Sequence, residues 1–249
     1  MLSKNQTKLI SSLKQKKYRQ KHGFFVVEGE KSVKEFVESS LKCVQIFSTL
    51  NYPWLSSTKE VQFVTQEEMA RLSLFSSPSE ILALFEIPQN SDFIPQEDSS
   101  LILALDGISD PGNLGTIIRL CDWFGISEIL CSPDTVDCYN PKVVQATMGS
   151  LTRVKLHYCD LEQTLPKLDL PVFGAMLQGE NLYQSSLPKQ MILLVGNEAN
   201  GIRPSTIKTI NTKISIPRFG SQKQTESLNV AMATGIILGE FFGRKISQD

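Results

Sequence analysis

Apolar residues in the first third of the chain fall into short runs separated by segments with helical spacing. Residues 24–27 (Phe-Phe-Val-Val), 44–47, 61–64 and 81–87 are β-branched or aromatic and short enough to be strands. Between them, residues 3–21 predict a single helix with Leu9, Ile10 and Leu13 on its apolar side. Gly29 and Glu30 open a second helix carrying Val33, Phe36 and Val37. Thr65-Gln66-Glu67-Glu68 reads as a capping box before a third helix through Leu72, with the Glu68 carboxylate reaching back to the helix start. Alternating strands and helices predict a small α/β unit.

Residues 88–100 break the pattern with two prolines and almost nothing apolar, the composition of a linker. Three parts are therefore expected: a first domain at 1–90, a linker at 91–100 and a second domain at 101–249. The second domain alternates more strictly. Strands are expected at 101–105, 128–131, 154–158, 172–176, 191–195 and 213–216, and helices at 114–124, 141–149, 161–168, 205–210 and 228–242. Short apolar strands joined through helices predict an α/β domain with a parallel sheet covered on both faces. The helix from Leu228 has so few polar positions that it is expected to be mostly buried.

Composition narrows the function classes. A net charge of −1 rules out a basic field over the whole chain, but charge is uneven: Lys4, Lys8, Lys14, Lys16, Lys17, Arg19 and Lys21 stand among the first 22 residues with no acid. The five cysteines contain no C-x-x-C pair, and the two histidines, His22 and His157, lie far apart, so no zinc site is expected. Scattered thiols indicate a reducing compartment. No apolar run reaches the ~18 residues needed to cross a bilayer. No secretory core precedes the first strand, and Lys outnumbers Arg in a way that disfavours an organellar transit peptide. A cytoplasmic protein without metal or membrane follows.

Chemistry is concentrated in three loops that leave the carboxyl ends of expected strands, where ligands of parallel sheets usually bind. The first is D-G-I-S-D-P-G-N-L-G-T-I-I-R, residues 106–119. Asn113 fits a helix N-cap after the Pro111-Gly112 turn. Arg119 lies on an otherwise apolar helix, where it either snorkels to solvent or faces an anion. The second loop is L-L-V-G-N-E-A-N-G-I-R-P, residues 193–204, where Gly196 lets a ligand approach the backbone and Asn197-Glu198 adds an acceptor and a charge. The third runs from 214 to 239, I-S-I-P-R-F-G-S-Q-K-Q-T-E-S-L-N-V-A-M-A-T-G-I-I-L-G. Pro217 stops a strand, and Ser227 and Asn229 sit at the mouth of the last helix, as plain caps or as ligands for an anion. Neither G-x-G-x-x-G nor G-x-x-x-x-G-K-[ST] occurs, which argues against a dinucleotide enzyme of Rossmann type.

In order, N-L-G-T-I-I-R, L-V-G-N-E-A-N-G-I and I-P-R-F-G…E-S-L-N-V-A-M-A resemble the three motifs of the SpoU (TrmH-like) RNA ribose 2′-O-methyltransferases of the SPOUT superfamily. The resemblance covers residues 101–242, and residues 3–90 look, more weakly, like that family's RNA-binding domain. It implies a deep trefoil knot, a homodimer and S-adenosylmethionine as cofactor, with Gly196, Ile216, Leu228 and Ala175 lining its pocket. It further implies Asn113, Arg119, Glu198, Ser227 and Asn229 around the transferred methyl and the target ribose. Residues 221–224 look like extra loop length relative to the family, which affects substrate fit and the role of Leu228.

The implied reaction is methylation of a ribose 2′-hydroxyl in structured RNA, ribosomal ahead of transfer RNA. The alternative is a catalytically silent RNA-binding protein on the same fold, which the intact polar set disfavours. A guanidinium is a poor base, so Arg119 is expected to pair with RNA phosphate and the developing alkoxide. The proton then leaves through water, phosphate or Glu198. The 2′-hydroxyl also distinguishes RNA from DNA. The lysines of residues 3–21 are expected to hold phosphates without reading sequence.

Overall fold

The computed structural model describes residues 2–58, 60–89, 93–95, 100–220 and 227–246. They form two compact units, one of residues 1–90 with 137–152 and one of residues 91–136 with 153–249. Most of the expected linker, and the whole of the extra loop length at 221–224, lie outside the described residues. Residues 137–152, expected within the second domain, cluster with the first unit.

The first unit carries helices α1 (Lys4–Ser12), α2 (Lys16–His22), α3 (Glu30–Val37) and α4 (Gln66–Leu72). Its strands β1 (Phe24–Glu28), β2 (Cys43–Ser48), β3 (Val61–Phe63) and β4 (Ile81–Glu86) form one sheet in the order β1-β4-β2-β3. Only β2 and β3 run parallel. Ile10, Leu13, Val26, Phe47, Met69, Leu72 and Leu82 make its core. The expected capping box is formed: Glu68 N–H donates to Thr65 Oγ1 at 3.2 Å and Thr65 N–H to Glu68 Oε2 at 3.0 Å.

The single helix expected over 3–21 is instead two, broken at Leu13–Gln15. A continuous helix would need the Leu13 and Lys14 carbonyls as acceptors four residues on. Here Arg19 Nη1 takes them both, at 2.7 and 3.1 Å. Its sequence context groups Arg19 with the exposed lysines, yet it is 1% exposed. Its Nε and Nη2 bind Asp137 Oδ2 at 2.9 and 2.5 Å. Asp137 starts the segment that the middle of the chain contributes to this unit, and Tyr139 packs on Phe25 with ring centroids 4.7 Å apart. Helix α5 (Pro111–Trp123) belongs to the second unit, and the segment that joins the first unit carries helix α6 (Pro141–Thr147).

In the second unit the strands β5 (Leu101–Asp106), β6 (Glu128–Cys131), β7 (Lys155–Tyr158), β8 (Val172–Asn181), β9 (Met191–Gly196) and β10 (Thr212–Ser215) follow the expected positions closely. All pairings are parallel, in the order β10-β8-β9-β5-β6-β7. Helices α7 (Leu161–Thr164), α8 (Pro204–Ile207) and α9 (Val230–Ile246) complete it. The central strands are buried along their whole length, which explains their unbroken apolar character. From β5 the order grows through β6 and β7 on one side, then resumes through β9 and β8 on the other. That reversal puts the switch point between β5 and β9, where Asp106 is paired with Gly196.

Two departures shape the site. Strand β8 is longer than expected, and its register with β10 jumps from Gly174 opposite Lys213 to Glu180 opposite Ile214. Residues 175–179 thus leave the ladder at its edge. Helix α9 is not buried all round: Val230, Ala231, Thr234, Ile237, Leu238 and Phe241 face the interior, but Met232 is 63% exposed.

Arg19→Ala should destabilise the first unit by about 3–5 kcal/mol, because it strands a largely buried carboxylate and two carbonyls. Arg19→Lys should rescue little, since one ammonium cannot make the four contacts. Calorimetric unfolding checks this, with Lys17→Gln as the neighbouring control; an unfolding profile unchanged in Arg19→Ala would contradict it.

Candidate active site

The carboxyl edge between β5 and β9 is tied together by polar contacts from three loops. Asp106 ends β5 with its side chain fully buried. Its Oδ1 accepts from Arg203 Nε at 2.7 Å and its Oδ2 from the Arg203 amide at 2.9 Å. Arg203 Nη1 also lies 3.4 Å from Asp134 Oδ1. The bond to Asp106 raises the Arg203 pKa further, so the cation is permanent. Asp134 is held below the usual carboxylate range, first by the Ser132 hydroxyl and also by Arg203. Arg203 thus fixes the far end of the loop that follows β9.

Asn197 fixes the near end. Its Nδ2 donates to the Gly107 carbonyl at 2.6 Å, and its Oδ1 accepts from the amides of Ala199 and Asn200. Its backbone forms a two-bond bridge with Gly201. This tight return explains Gly196 differently from the sequence reading. A Cβ on Gly196 would come within 2.3 Å of Gly201 C and Ile202 N. The missing side chain makes room first for the loop's own backbone.

Beside this loop lies a cavity of about 830 Å³. That is within the roughly 300–1,000 Å³ range of small-molecule sites. Ala175, Gly196, Glu198, Ile216, Ser227 and Leu228 all line it, together with Met176 and Leu177 from the displaced part of β8. Of these, Gly196 is buried, Ala175 and Ile216 are half-buried, and Leu228 is 50% exposed. A mixed wall of aliphatic side chains and loop backbone suits a ligand with an apolar-faced ring and polar edges.

Along the rim runs a chain of three hydrogen-bonded side chains from three separate segments: the mouth of α9, the first turn of α5 and the loop after β9. Asn229 Nδ2 donates to Asn113 Oδ1 at 2.8 Å, and Asn113 Nδ2 donates to Glu198 Oε1 at 2.7 Å. Asn229 is also the helix cap that its position suggested: its Oδ1 accepts from the amides of Ala231 and Met232. The cap and ligand readings of Asn229 are therefore compatible, since its oxygen and nitrogen do different work. Asn113 is not the N-cap of α5. Asp110 is, accepting the Asn113 amide at 2.8 Å, with Pro111 in the first helical turn. That frees the Asn113 side chain to bridge Asn229 and Glu198. Ser227 is exposed at the cavity wall.

Arg119 stands apart. It is exposed on α5, does not line the cavity, and makes no hydrogen bond or ion pair among the described residues. Trp123, one turn on, is 86% exposed. Sequence reasoning missed Asp106 and Arg203 and read Asn197 only as an acceptor, although Asp-Gly and Gly-Asn directly after buried strands signal side chains that answer strand-end backbone. Among the described residues no group of three or more His, Cys, Asp or Glu could hold a metal, and no helix is long and apolar enough to cross a membrane.

Comparison with known proteins gives two family matches. Residues 100–239 match the SpoU rRNA Methylase family, and residues 4–83 match the MRM3-like substrate binding domain. The 23S rRNA (guanosine(2553)-2'-O)-methyltransferase RlmP of Bacillus subtilis is 28% identical over 95% of this chain and 96% of its own length. A TrmH-family protein from Porphyromonas gingivalis superposes with TM-score 0.88 at 36% identity, covering 98% of this chain and 99% of that one. The AdoMet-bound rRNA methyltransferase from Sinorhizobium meliloti superposes with TM-score 0.84 at 28% identity, covering 98% and 96%.

Gly196→Ala should perturb the loop before any ligand is present, because the added carbon meets backbone that cannot step aside. We expect lower thermal stability together with cofactor affinity reduced at least about tenfold, some 1.4 kcal/mol. Calorimetric titration with S-adenosylmethionine checks this. Normal affinity and stability in Gly196→Ala would mean that the close return of the loop is not needed.

Proposed function

The chain belongs to the SpoU rRNA methylase family, and from that membership we propose that it transfers a methyl group from S-adenosylmethionine to a ribose 2′-hydroxyl of ribosomal RNA. The observation that carries this reading is the Asn229–Asn113–Glu198 chain at the rim of a cavity of cofactor size. A polar line built from three segments has no structural need to end on an exposed carboxylate, but a proton-accepting site does.

When bound, the cofactor supplies a methyl carbon already activated by its sulfonium. Ala175, Gly196, Ile216 and Leu228 are the proposed wall against it, with main-chain groups of the Arg203-anchored loop as polar partners. Asn229 orients Asn113, and Asn113 holds Glu198 Oε1, which leaves Glu198 Oε2 to accept the hydroxyl proton. Ser227 is proposed to position the ribose by hydrogen bonding. Holding donor and acceptor in line is worth up to roughly 7–11 kcal/mol in ideal intramolecular cases. Arg119 is assigned to RNA phosphate and to charge growing on the ribose oxygen, with its planar fork as the recognition element.

We further propose a homodimer, the trefoil knot of the family and a cytoplasmic location. What supports the dimer is the exposed apolar surface of the second unit: Trp123 on α5, one turn from Arg119, and Met232 on α9, the helix packed against α5. Arg119 would then stand at or beside the interface. The first unit is proposed to bind the RNA, supported by its match to a substrate-binding domain. Lys14, Lys16, Lys17 and Lys21 are all exposed around α2.

Transfer of labelled methyl from S-adenosylmethionine to 23S rRNA, read as protection of one linkage from alkaline hydrolysis, tests the proposal. Protection is the expected result; no transfer to any rRNA would refute it. Arg119→Ala should lower kcat/KM by 10²-fold or more, about 2.7 kcal/mol, with cofactor affinity within a few-fold of normal. Arg119→Lys should also be poor. Turnover near normal in Arg119→Ala would remove that residue from the machinery.

Replacing Lys14, Lys16, Lys17 and Lys21 together with Gln should raise the KM for RNA and leave the modified nucleotide unchanged. The slope of log affinity against log salt should flatten by up to roughly 0.7 per lost single-strand contact. Filter binding across a salt series checks this. An unchanged slope would mean that the basic face is merely solvated.

A further inference from the structure

Large hydrophobic side chains are exposed in the cavity lining. Leu177 is 69% exposed, Leu228 50% and Phe219 85%, and all three belong to the cavity lining. Tyr183, 44% exposed, lies beside Phe219 with ring centroids 6.5 Å apart and planes 38° apart. A ring pair tilted in this way touches by an edge and leaves faces open. The wall residues assigned to the cofactor do not need Phe219, since a ring that is 85% exposed encloses nothing.

Phe219 follows the end of a strand closely. Strand β10 ends at Ser215, Ile216 is half-buried in the cavity wall, and Pro217 fixes its own φ near −65°. Phe219 is therefore carried on an arm of four residues from the sheet. Asn181 supports the neighbouring ring, since its Oδ1 accepts the Tyr183 amide at 3.0 Å. An exposed aromatic this close to a strand end and a proline starts with less backbone freedom than one in a long loop, which lowers the cost of using its ring for binding.

Resting on the methyltransferase reading, we infer that Phe219, with Tyr183 at its edge, is a stacking platform for an unpaired nucleobase of the RNA beside the reacting ribose. Sequence-specific RNA recognition takes unstacked bases onto aromatic side chains. Stacking also suits the geometry of the reaction, because a ribose delivered to the Glu198 rim brings its own base and its neighbours to the same mouth. A base stacked on Phe219 would fix the rotation of the sugar about its backbone, which hydrogen bonds at the 2′-hydroxyl alone leave loose. Phe219 is thus assigned to substrate positioning and not to the cofactor or the proton.

The test uses the full-length protein and 23S rRNA from a strain lacking its gene. Phe219→Leu, which keeps the bulk and removes the stacking face, should raise the KM for that RNA roughly 5- to 150-fold, the span of measured base–aromatic stacking. Calorimetric affinity for S-adenosylmethionine, the melting temperature and the sedimentation mass should stay as in the wild type. Phe219→Trp should recover RNA KM to within about threefold, since an indole stacks as well as a phenyl ring. Three results would overturn the inference. An unchanged KM in Phe219→Leu would leave the ring without a role in RNA. An equal loss of cofactor affinity would place the ring in the cofactor pocket. A shift in sedimentation mass would make it part of a subunit contact. Failure of the methyltransferase reading looks different, because the wild type itself would then transfer no methyl to the RNA.

Discussion

A carboxylate with no exposed surface, Asp106, stands at the carboxyl end of a central parallel strand, and its charge has to be answered there. Arg203 answers it with a side-chain fork and its own backbone amide. Removing one partner of such a pair leaves a buried uncompensated charge, at about 3–5 kcal/mol. What matters for function is where the two residues sit. Asp106 ends β5 and Arg203 closes the loop after β9, so the pair staples the two strands flanking the switch point and holds the loop between them in one shape. Glu198 and one side of the cavity wall are carried on that loop.

The rest of the site follows from this constraint. With the loop fixed, Gly196 must lack a Cβ, because the returning backbone fills that space. With Asp110 capping α5, Asn113 is released to reach across to Glu198, and the α9 cap Asn229 reaches Asn113 in turn. Three motifs that lie up to 116 residues apart in sequence become one hydrogen-bonded line.

Much of the architecture was legible in the sequence. Six apolar runs in the second half became six parallel strands, because a strand buried on both faces has to be apolar along its length. Ala175, Gly196, Glu198, Ile216, Ser227 and Leu228, which line the cavity, and Asn113 and Asn229 at its rim were named through motif resemblance, while periodicity alone left helix cap and ligand as open alternatives for Asn229. What was not legible depends on contacts distant in sequence. Arg19 looked like one more surface cation and is instead buried against Asp137, 118 residues away. The register jump in β8 that lets residues 175–179 line the cavity leaves no mark in composition. Arg119 was expected near the transferred methyl, yet it lies off the cavity lining. The exposure of Phe219 and Met232 was equally hidden, since hydrophobicity says what is costly to expose and not which residues a protein exposes for binding.

The central claim is that this cavity and its polar rim methylate a ribose in ribosomal RNA. It is tested most directly by mapping 2′-O-methyl groups across the ribosomal and transfer RNA of the native organism with and without the gene. The account predicts that one ribosomal position loses its methyl group in the deletion strain and regains it with the wild-type gene but not with an Asn113→Ala, Glu198→Ala double variant. A methylation map identical in both strains, or a lost methyl restored by the double variant, would contradict it.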